Sequence, residues 1–457
     1  MTGIPEFRTT TVDVAHPRNG TGDAPPEIRT RIPGPESQSW LLRFERVAAP
    51  MGPKRVELEL PDGRCRVAPP GGVVFSRGYG SNVWDPDDNR FVDLAAGFGS
   101  MLLGHNHAYV RRAIELQSDR LLQAMGDLYP ADAKIGLLQQ LARLFPVEHA
   151  QVILGQSGAD AVTAALKTAA LYTGRPGVVA MSGAYHGLSY APLSACGLRE
   201  SYRAPFQTQL NPHVHFVPYP RGDAPDLASL RQLLVSGTIG AVLLEPILGR
   251  GGVHAISKPA LQEIRELCSR HGCLLIADEI WTGLGRCGSW LHSTQLEIIP
   301  DLVCLGKGLG GGLPISACVG RADVMASWSR AEEVVHTSTF AGAPLACATA
   351  LACLDVLRRH GLIERSAQLG AHWKTALEGS LKDLPVEVRG RGLMLAVDLG
   401  PKPGAAGKLM AKLLSAGYIT STGGGAREVL VLTPPLTIAS ELLTGFVPVL
   451  RRALEEL

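Results

Sequence analysis

The sequence predicts an α/β fold: a mostly parallel β-sheet covered by helices on both faces, joined to a smaller α+β unit. The apolar runs QVILG (151–155), GVVAM (177–181), AVLLE (241–245), CLLIAD (273–278) and LVCLG (302–306) are short and almost free of polar residues. Strands of that kind are buried on both sides, as in a parallel sheet between helical layers. The segments between them, such as ADAVTAALKTAALY and KPALQEIRELCSRHG, have helical periodicity, so strands and helices alternate as crossover connections require. After Pro344 the order becomes a mixture of long helix and scattered strands, which suits a second, smaller domain.

Taken along the chain, residues 1–37 are rich in Pro, Gly and Thr with little apolar periodicity, and read as a mobile or draped N-terminal arm. Helical patterning begins near Ser39 in SWLLRFERV; short strands follow at VVF (73–75) and NVWD (82–85), ending in the turn DPDDN. Residues 38–105 are assigned to the small domain and 106–343, the alternating region, to the large one. Residues 344–457 form the C-terminal small domain. They comprise a long helical stretch to about Leu381, strands at 387–390, 393–399 and 429–433, a helix near 405–415 and an amphipathic helix to Leu457.

With 457 residues, 46% hydrophobic and 19% charged, the chain can bury a large core in more than one domain. Its net charge of +2, from 44 basic and 42 acidic residues, gives no sign of nucleic acid or a membrane surface as the main partner. No apolar run is long enough to span a bilayer, and the N-terminus lacks a hydrophobic signal core, so a cytoplasmic location is expected. The nine cysteines are scattered, and the closest pair, Cys268 and Cys273, lacks zinc-site spacing; they read as reduced thiols. With no HExxH pattern either, no metal site is expected.

Three strands run into ionisable residues: Glu245, Asp278 and, one residue past LVCLG, Lys307. In an open parallel sheet the carboxyl ends of the strands line one crevice, where ligands bind. Lys307, between Gly306 and Gly308, could be a surface lysine or a partly desolvated amine that loses its proton easily and acts as a nucleophile. Two carboxylates at the same end favour the second. In GQSGADAV, residues Ser157, Gly158 and Ala159 stand where a strand turns into a helix, either an ordinary N-cap or a phosphate site on free backbone N–H groups. The segment matches neither a Walker A loop nor G-x-G-x-x-G, and G-x-S-x-G is absent there. A phosphate cradle, a desolvated lysine and a strand-end aspartate together fit pyridoxal 5'-phosphate. The lysine would form a Schiff base with its aldehyde, and the carboxylate would keep the ring nitrogen protonated. Tyr185 is the aromatic that can stack on the ring. Ile280, two residues beyond Asp278, points to the same side and can pack on the other face.

Through these residues the chain resembles the class III aminotransferases, fold type I pyridoxal-phosphate enzymes that include the ornithine, acetylornithine, 4-aminobutyrate and ω-amino-acid transaminases. The resemblance runs from about Asn82 to the C-terminus. It rests on NVWDPDDNRFVDLAAG, LGHNH, SGADAV, AYHG, EPILGRGG, LLIADEIWTGLGRCG, PDLVCLGKGLGGGLP, TFAGAP and TPPLTI. It implies a seven-stranded sheet in the large domain, Lys307 as the Schiff-base lysine and Asp278 as the partner of the ring nitrogen. It further implies Ser157, Gly158 and Ala159 as phosphate contacts, Tyr185 and Ile280 on the two ring faces, and His186 and Glu245 in the cofactor site. Thr339 would reach the phosphate of the neighbouring subunit, in a homodimer with shared active sites.

The departures concern the substrate side. Relatives that handle amino-acid carboxylates usually have YHGR, where this chain has Leu188, and EPxQGEGG, where it has Leu248 and Arg250. Val431 stands where an arginine is frequent, Trp281 in place of a glutamine and Ala343 in place of an asparagine. Phe98, Leu188, Arg250, Trp281, Arg427 and Val431 are the candidate substrate residues, with Arg250 or Arg427 to receive a carboxylate. The expected function is ping-pong transfer of an amino group from a primary amine or ω-amino acid to a 2-oxo acid or aldehyde. Decarboxylation, amino-group migration or carbon–carbon bond formation on the same cofactor remains the alternative. A non-catalytic binding domain is a third possibility, opposed by the intact lysine.

Overall fold

The computed structural model describes residues 22–49, 57–59, 65–67, 72–222, 226–330 and 332–457. Its largest sheet has seven strands: β1 (Gln151–Gly155), β2 (Gly177–Met181), β3 (Val214–Val217), β4 (Ile239–Leu244), β5 (Leu274–Asp278), β6 (Leu302–Leu305) and β7 (Ser316–Gly320). They lie in the order β1-β7-β6-β5-β4-β2-β3. All neighbours are parallel except β7, which is antiparallel to both β6 and β1. The five apolar runs are β1, β2, β4, β5 and β6. The other two strands carry weaker signals. VHFV is a half-buried edge strand with a polar residue inside it, and SACVG is fully buried but made mostly of small residues with little strand preference.

Alternate residues of the strands serve opposite faces. Val178, Ala180, Ala241, Leu243 and Ile276 pack with the helix Gly158–Thr173 through Ala161, Val162 and Ala165. On the other face Val179, Met181, Val242, Leu244 and Leu275 meet Leu230 and Leu234 of the helix Ala228–Val235, and Ile264 and Leu267 of Lys258–His271. The register then decides what stands at the edge. Ala277 lies opposite Leu244, so the next residues, Asp278 and Glu245, come level; Asp278 lies opposite Cys304, three residues before Lys307.

The long helical stretch after Pro344 is two helices, Pro344–Arg359 and Leu362–Leu381, separated at Gly361, whose φ of 57° is in the left-handed region that glycine adopts readily. A four-stranded antiparallel sheet follows, formed by Glu387–Arg391, Met394–Asp398, Val429–Leu432 and Ser421–Gly423. A second four-stranded sheet joins early and late parts of the chain: Arg77–Tyr79, Asn82–Trp84 and Arg90–Asp93 pair in antiparallel order, and Tyr418–Ile419 adds in parallel to the last. Residues 73–75, expected as a strand, are in none; pairing begins at Arg77.

The helix expected near Ser39 begins at Pro35 and runs to Val47. Ahead of it residues 22–34 are draped over the second sheet: Ala24 N donates to Asn82 Oδ1, Asn82 Nδ2 returns a bond to Ala24 O, and Asn89 Oδ1 accepts from the N–H groups of Arg29 and Thr30. The rest of the expected arm, residues 1–21, lies outside the described residues. Among the described residues no helix is long and apolar enough to cross a membrane. Among the described residues no group of three or more His, Cys, Asp or Glu could hold a metal ion, and the eight cysteines from Cys196 to Cys353 are free and buried.

Candidate active site

The chain leaves β6 through Gly306 and turns at Lys307, which takes a φ of 35°. That conformation is uncommon for a residue with a Cβ. The flanking glycines have a steric reason. A Cβ at Gly308 would stand 2.8 Å from Leu102 Cδ2, and one at Gly306 would stand 3.3 Å from Ile280 Cγ2. Lys307 Nζ lies 4.7 Å from the centroid of the Trp281 ring, a cation–π contact. The side chain keeps some accessible surface, yet enough protein surrounds it that burial, the leading influence, lowers its pKa from the ordinary lysine value. Arg250 pushes the same way, and Asp278 and Glu245 oppose it.

Asp278 ends β5 with 4% of its surface exposed. Its Oδ2 lies 2.7 Å from His186 Nδ1, and its Oδ1 accepts from Ile280 N at 3.1 Å. The other ring nitrogen of His186, Nε2, is buried without a hydrogen-bond partner among the described residues. Glu245, just past β4, accepts from Tyr185 N at 2.8 Å and from Gly249 N at 2.9 Å. It thereby ties together the loop that carries Tyr185 and His186 and the turn that carries Arg250. Burial pushes the Glu245 carboxyl up to about 7, opposed by His186 and reinforced by Asp278.

Ser157 caps the helix Gly158–Thr173 in a capping box: its side chain accepts from Asp160 N, while Asp160 Oδ2 accepts from the N–H groups of Gln156 and Ser157. The next N–H groups, of Gly158 and Ala159, have no carbonyl one helical turn earlier. A Cβ at Gly158 would come 2.8 Å from Ile280 Cδ1, and one at Gly187 would come 3.0 Å from Ala159 Cβ. The helix start, Ile280 and the Tyr185–Gly187 loop are therefore in mutual contact beside Lys307. Thr339 is exposed, its carbonyl accepts from Gln123 Nε2, and the Oγ of its neighbour Ser338 accepts from Gln156 Nε2, beside Ser157.

On the substrate side, Trp281 is 8% exposed. Its ring is wedged between two glycines. A Cβ at Gly99 would lie 2.4 Å from Trp281 Nε1, and one at Gly249 would lie 2.4 Å from Trp281 Cε3. Phe98, beside Gly99, and Leu188, beside Gly187, are both exposed. Arg250 faces the site: its guanidinium carbon is 5.0 Å from the Tyr185 ring centroid, and its Nε is buried with no partner among the described residues. One candidate stands differently from expectation. Val431 is 0% exposed, packed with Ile247, Met394, Ala396 and Trp281, so it lies behind the Trp281 wall and not on it. Arg427 is exposed, at φ 59° in the turn that follows Gly424; the Gly424 N–H donates to Arg250 O, so that turn adjoins the Arg250 hairpin.

The sequence reading missed Glu279. This residue is fully buried and accepts from Thr282 Oγ1, Ser293 Oγ and the N–H groups of His292 and Ser293 at 2.6–2.9 Å. It pins the segment that presents Trp281; the signal available was a second carboxylate directly after an apolar strand. Asp160 was missed as well, although S-x-x-D before an apolar run is a capping-box signature.

Comparison with known proteins gives a consistent picture. The family described as Aminotransferase class-III matches residues 66–454. Acetylornithine aminotransferase of Methanosarcina mazei is 36% identical over 381 residues, 83% of this chain and 91% of that protein. The 5-aminovalerate aminotransferase DavT of Pseudomonas aeruginosa is 33% identical over 426 residues, 88% and 98% of the two chains. Among solved structures, the ornithine aminotransferase of Toxoplasma gondii superposes with a TM-score of 0.81 at 29% identity, covering 92% of this chain and 94% of that one. A pyridoxal-phosphate-bound amine transaminase from an uncultivated Pseudomonas species superposes with a TM-score of 0.78 at 30% identity, covering 88% and 100%.

Proposed function

The chain belongs to the class-III aminotransferases, and from that premise we propose that the residues around Lys307 are its reaction centre and that Lys307 is the lysine on which the cofactor is held. The enzyme is a pyridoxal-phosphate-dependent aminotransferase. The observation that carries the assignment is the sheet edge that sets Lys307 beside a buried Asp278 whose two oxygens are fixed by His186 and by Ile280 N. The residues fit the cofactor: a buried carboxylate with lone pairs to spare, an amine with a lowered pKa, and a helix start with free N–H groups.

Pyridoxal phosphate, when bound, supplies an aldehyde for amines and a pyridinium ring that takes up the electron pair released at carbon. Asp278 would hold the ring nitrogen protonated, and His186 would keep that carboxylate oriented. The N–H groups of Gly158 and Ala159, with Ser157, would hold the phosphate. Tyr185 and Ile280 would fix the ring faces. Lys307 Nζ, poised by burial to give up its proton, would move a proton at the substrate carbon. Trp281 and Phe98 would limit water at that atom. The amino group passes from a primary amine or ω-amino acid to a 2-oxo acid or aldehyde. The working unit of the proposal is a homodimer in which Thr339 serves the phosphate of the partner; its support is that Thr339 is exposed here, next to exposed Phe340.

The test is spectroscopic. The purified protein should be yellow, an amine donor alone should bleach it, and a 2-oxo acid should restore the colour. Borohydride should then fix the cofactor on Lys307, and Lys307→Ala should lose the linkage. Asp278→Asn should keep cofactor but lose roughly a hundredfold or more in rate, the scale seen when a preorganised electrostatic partner is removed. Cofactor fixed on another lysine, or bleaching that no acceptor reverses, would remove the assignment.

A further inference from the structure

Resting on the reaction centre proposed above, we infer that Arg250 is the carboxylate receptor of the site, and that the acceptor it fits is a 2-oxo monocarboxylate in preference to a dicarboxylate.

The guanidinium has an unmet need. It lies over the Tyr185 ring at 5.0 Å, with Nε buried and unpartnered among the described residues. Arginine offers five N–H donors in a planar fork that matches a carboxylate. The nearby carboxylates of the protein already hold other donors. Both oxygens of Glu245 accept main-chain N–H groups, from Tyr185 and Gly249, and both oxygens of Asp278 are held, by His186 and Ile280 N. Among the described residues no carboxylate pairs with the Arg250 guanidinium, which leaves its fork open to the acid of a ligand. Arg250 also acts electrostatically on Lys307, which places its charge within reach of the reaction centre.

The cation is held in place before any ligand arrives. Arg250 stands at the tip of the hairpin formed by Ile247–Leu248 and His254–Ala255. Gly249 N is bound to Glu245 Oε2, Arg250 O accepts from Gly424 N at 2.8 Å, Gly252 O accepts from Arg389 Nε at 2.8 Å, and Val253 N donates to Leu248 O at 2.7 Å. A receptor on a turn fixed at four points loses little freedom on binding.

The count of cations sets the count of acids. Arg199 is occupied by the carbonyls of Gly424 and Gly425 and by the Tyr202 hydroxyl, and Arg389 by Gly252 O, Glu387 and Asp398. Arg427 is exposed, on the turn whose Gly424 N–H donates to Arg250 O. Of these cations Arg250 is the one that acts on Lys307, and Trp281, Phe98 and Leu188 supply the apolar surroundings. The second carboxylate of a dicarboxylate would be desolvated without a partner, which is unfavourable.

The experiment uses the holoenzyme and its Arg250→Ala and Arg250→Lys variants. A single amine donor is paired in turn with pyruvate, 2-oxoglutarate and butanal. Calorimetry with propionate, which cannot turn over, supplies a readout independent of catalysis. The wild-type enzyme should have a higher kcat/KM for pyruvate than for 2-oxoglutarate. Arg250→Ala should raise the KM for pyruvate roughly 10- to 100-fold more than that for butanal, the range for one lost charge-assisted pair. Propionate affinity should fall in parallel, and Arg250→Lys should recover part of both. A wild-type preference for 2-oxoglutarate, equal KM shifts for pyruvate and butanal, or unchanged propionate affinity in Arg250→Ala overturns the inference. Failure of the wild-type protein to bleach and recover its colour would instead sink the reaction-centre assignment, while the propionate measurement would still judge Arg250.

Discussion

Lys307 owes its chemistry to its surroundings. Burial lowers its pKa because the neutral amine tolerates low dielectric better than the ammonium. The sign of the pH effect follows. A lowered pKa releases the proton earlier as pH rises, so in the cofactor-free protein Lys307 should be acylated with a midpoint below that of exposed lysines. Asp278→Asn removes a neighbour that favours the ammonium, so it should move the midpoint lower still. Competitive labelling with acetic anhydride across pH, read by mass spectrometry, checks both; a midpoint shared with surface lysines contradicts the environment described. The sequence already pointed to this residue through its glycine flanks and its place after an apolar strand. It could not show that Leu102 and Ile280 are what require those glycines.

Among the elements, the hairpin bearing Arg250 and the loop bearing Phe98 meet on the Trp281 ring. Gly249→Ala would put a methyl group 2.4 Å from Trp281 Cε3 and 3.2 Å from Met394 Cε, atoms packed in one buried cluster. Overpacking of this kind costs about 1–3 kcal/mol. The variant should unfold at correspondingly lower urea concentration and show altered tryptophan emission, and wild-type values of both would mean that the ring can yield. The same elements show where sequence reading stops. EPILGRGG and AAGFGS are far apart in the chain, and nothing in either says that they close on one indole. Strands were legible where they were apolar and β-branched; β7 was not, because its burial comes from β6 and β1 on either side and not from its own small side chains.

The whole molecule leaves an apolar surface uncovered. Leu122, Met125, Leu128, Tyr129 and Phe340 are exposed. Gln123 bonds to Thr339 O, which connects the 121–129 loop to the segment that carries Phe340. Exposed apolar groups close to one another are the usual mark of an association surface, in keeping with the proposed dimer. Met125→Glu should shift the protein toward monomer in light scattering and weaken cofactor retention with it. Thr339→Ala should keep the dimer and weaken retention alone, by the roughly 1.5–3 kcal/mol of a hydrogen bond to a charged group. A monomer that holds cofactor as tightly as the wild type would refute the shared site.

By itself the sequence determined the fold class, the cofactor chemistry and the residues at the ends of β4, β5 and β6. Each depends on local patterning: apolar runs that must be buried, and polar residues placed just where those runs stop. The partners depended on tertiary structure. Strand register brought Glu245 level with Asp278 and set Lys307 near both. Pairing of Val429–Leu432 with Met394–Asp398 on one side and Ser421–Gly423 on the other put Val431 behind Trp281. Long-range hydrogen bonds engaged Glu245, Asp278, Arg199 and Arg389 and left Arg250 Nε without a hydrogen-bond partner among the described residues. A residue's type fixes which bonds it can make; only the folded chain decides which of them are already made.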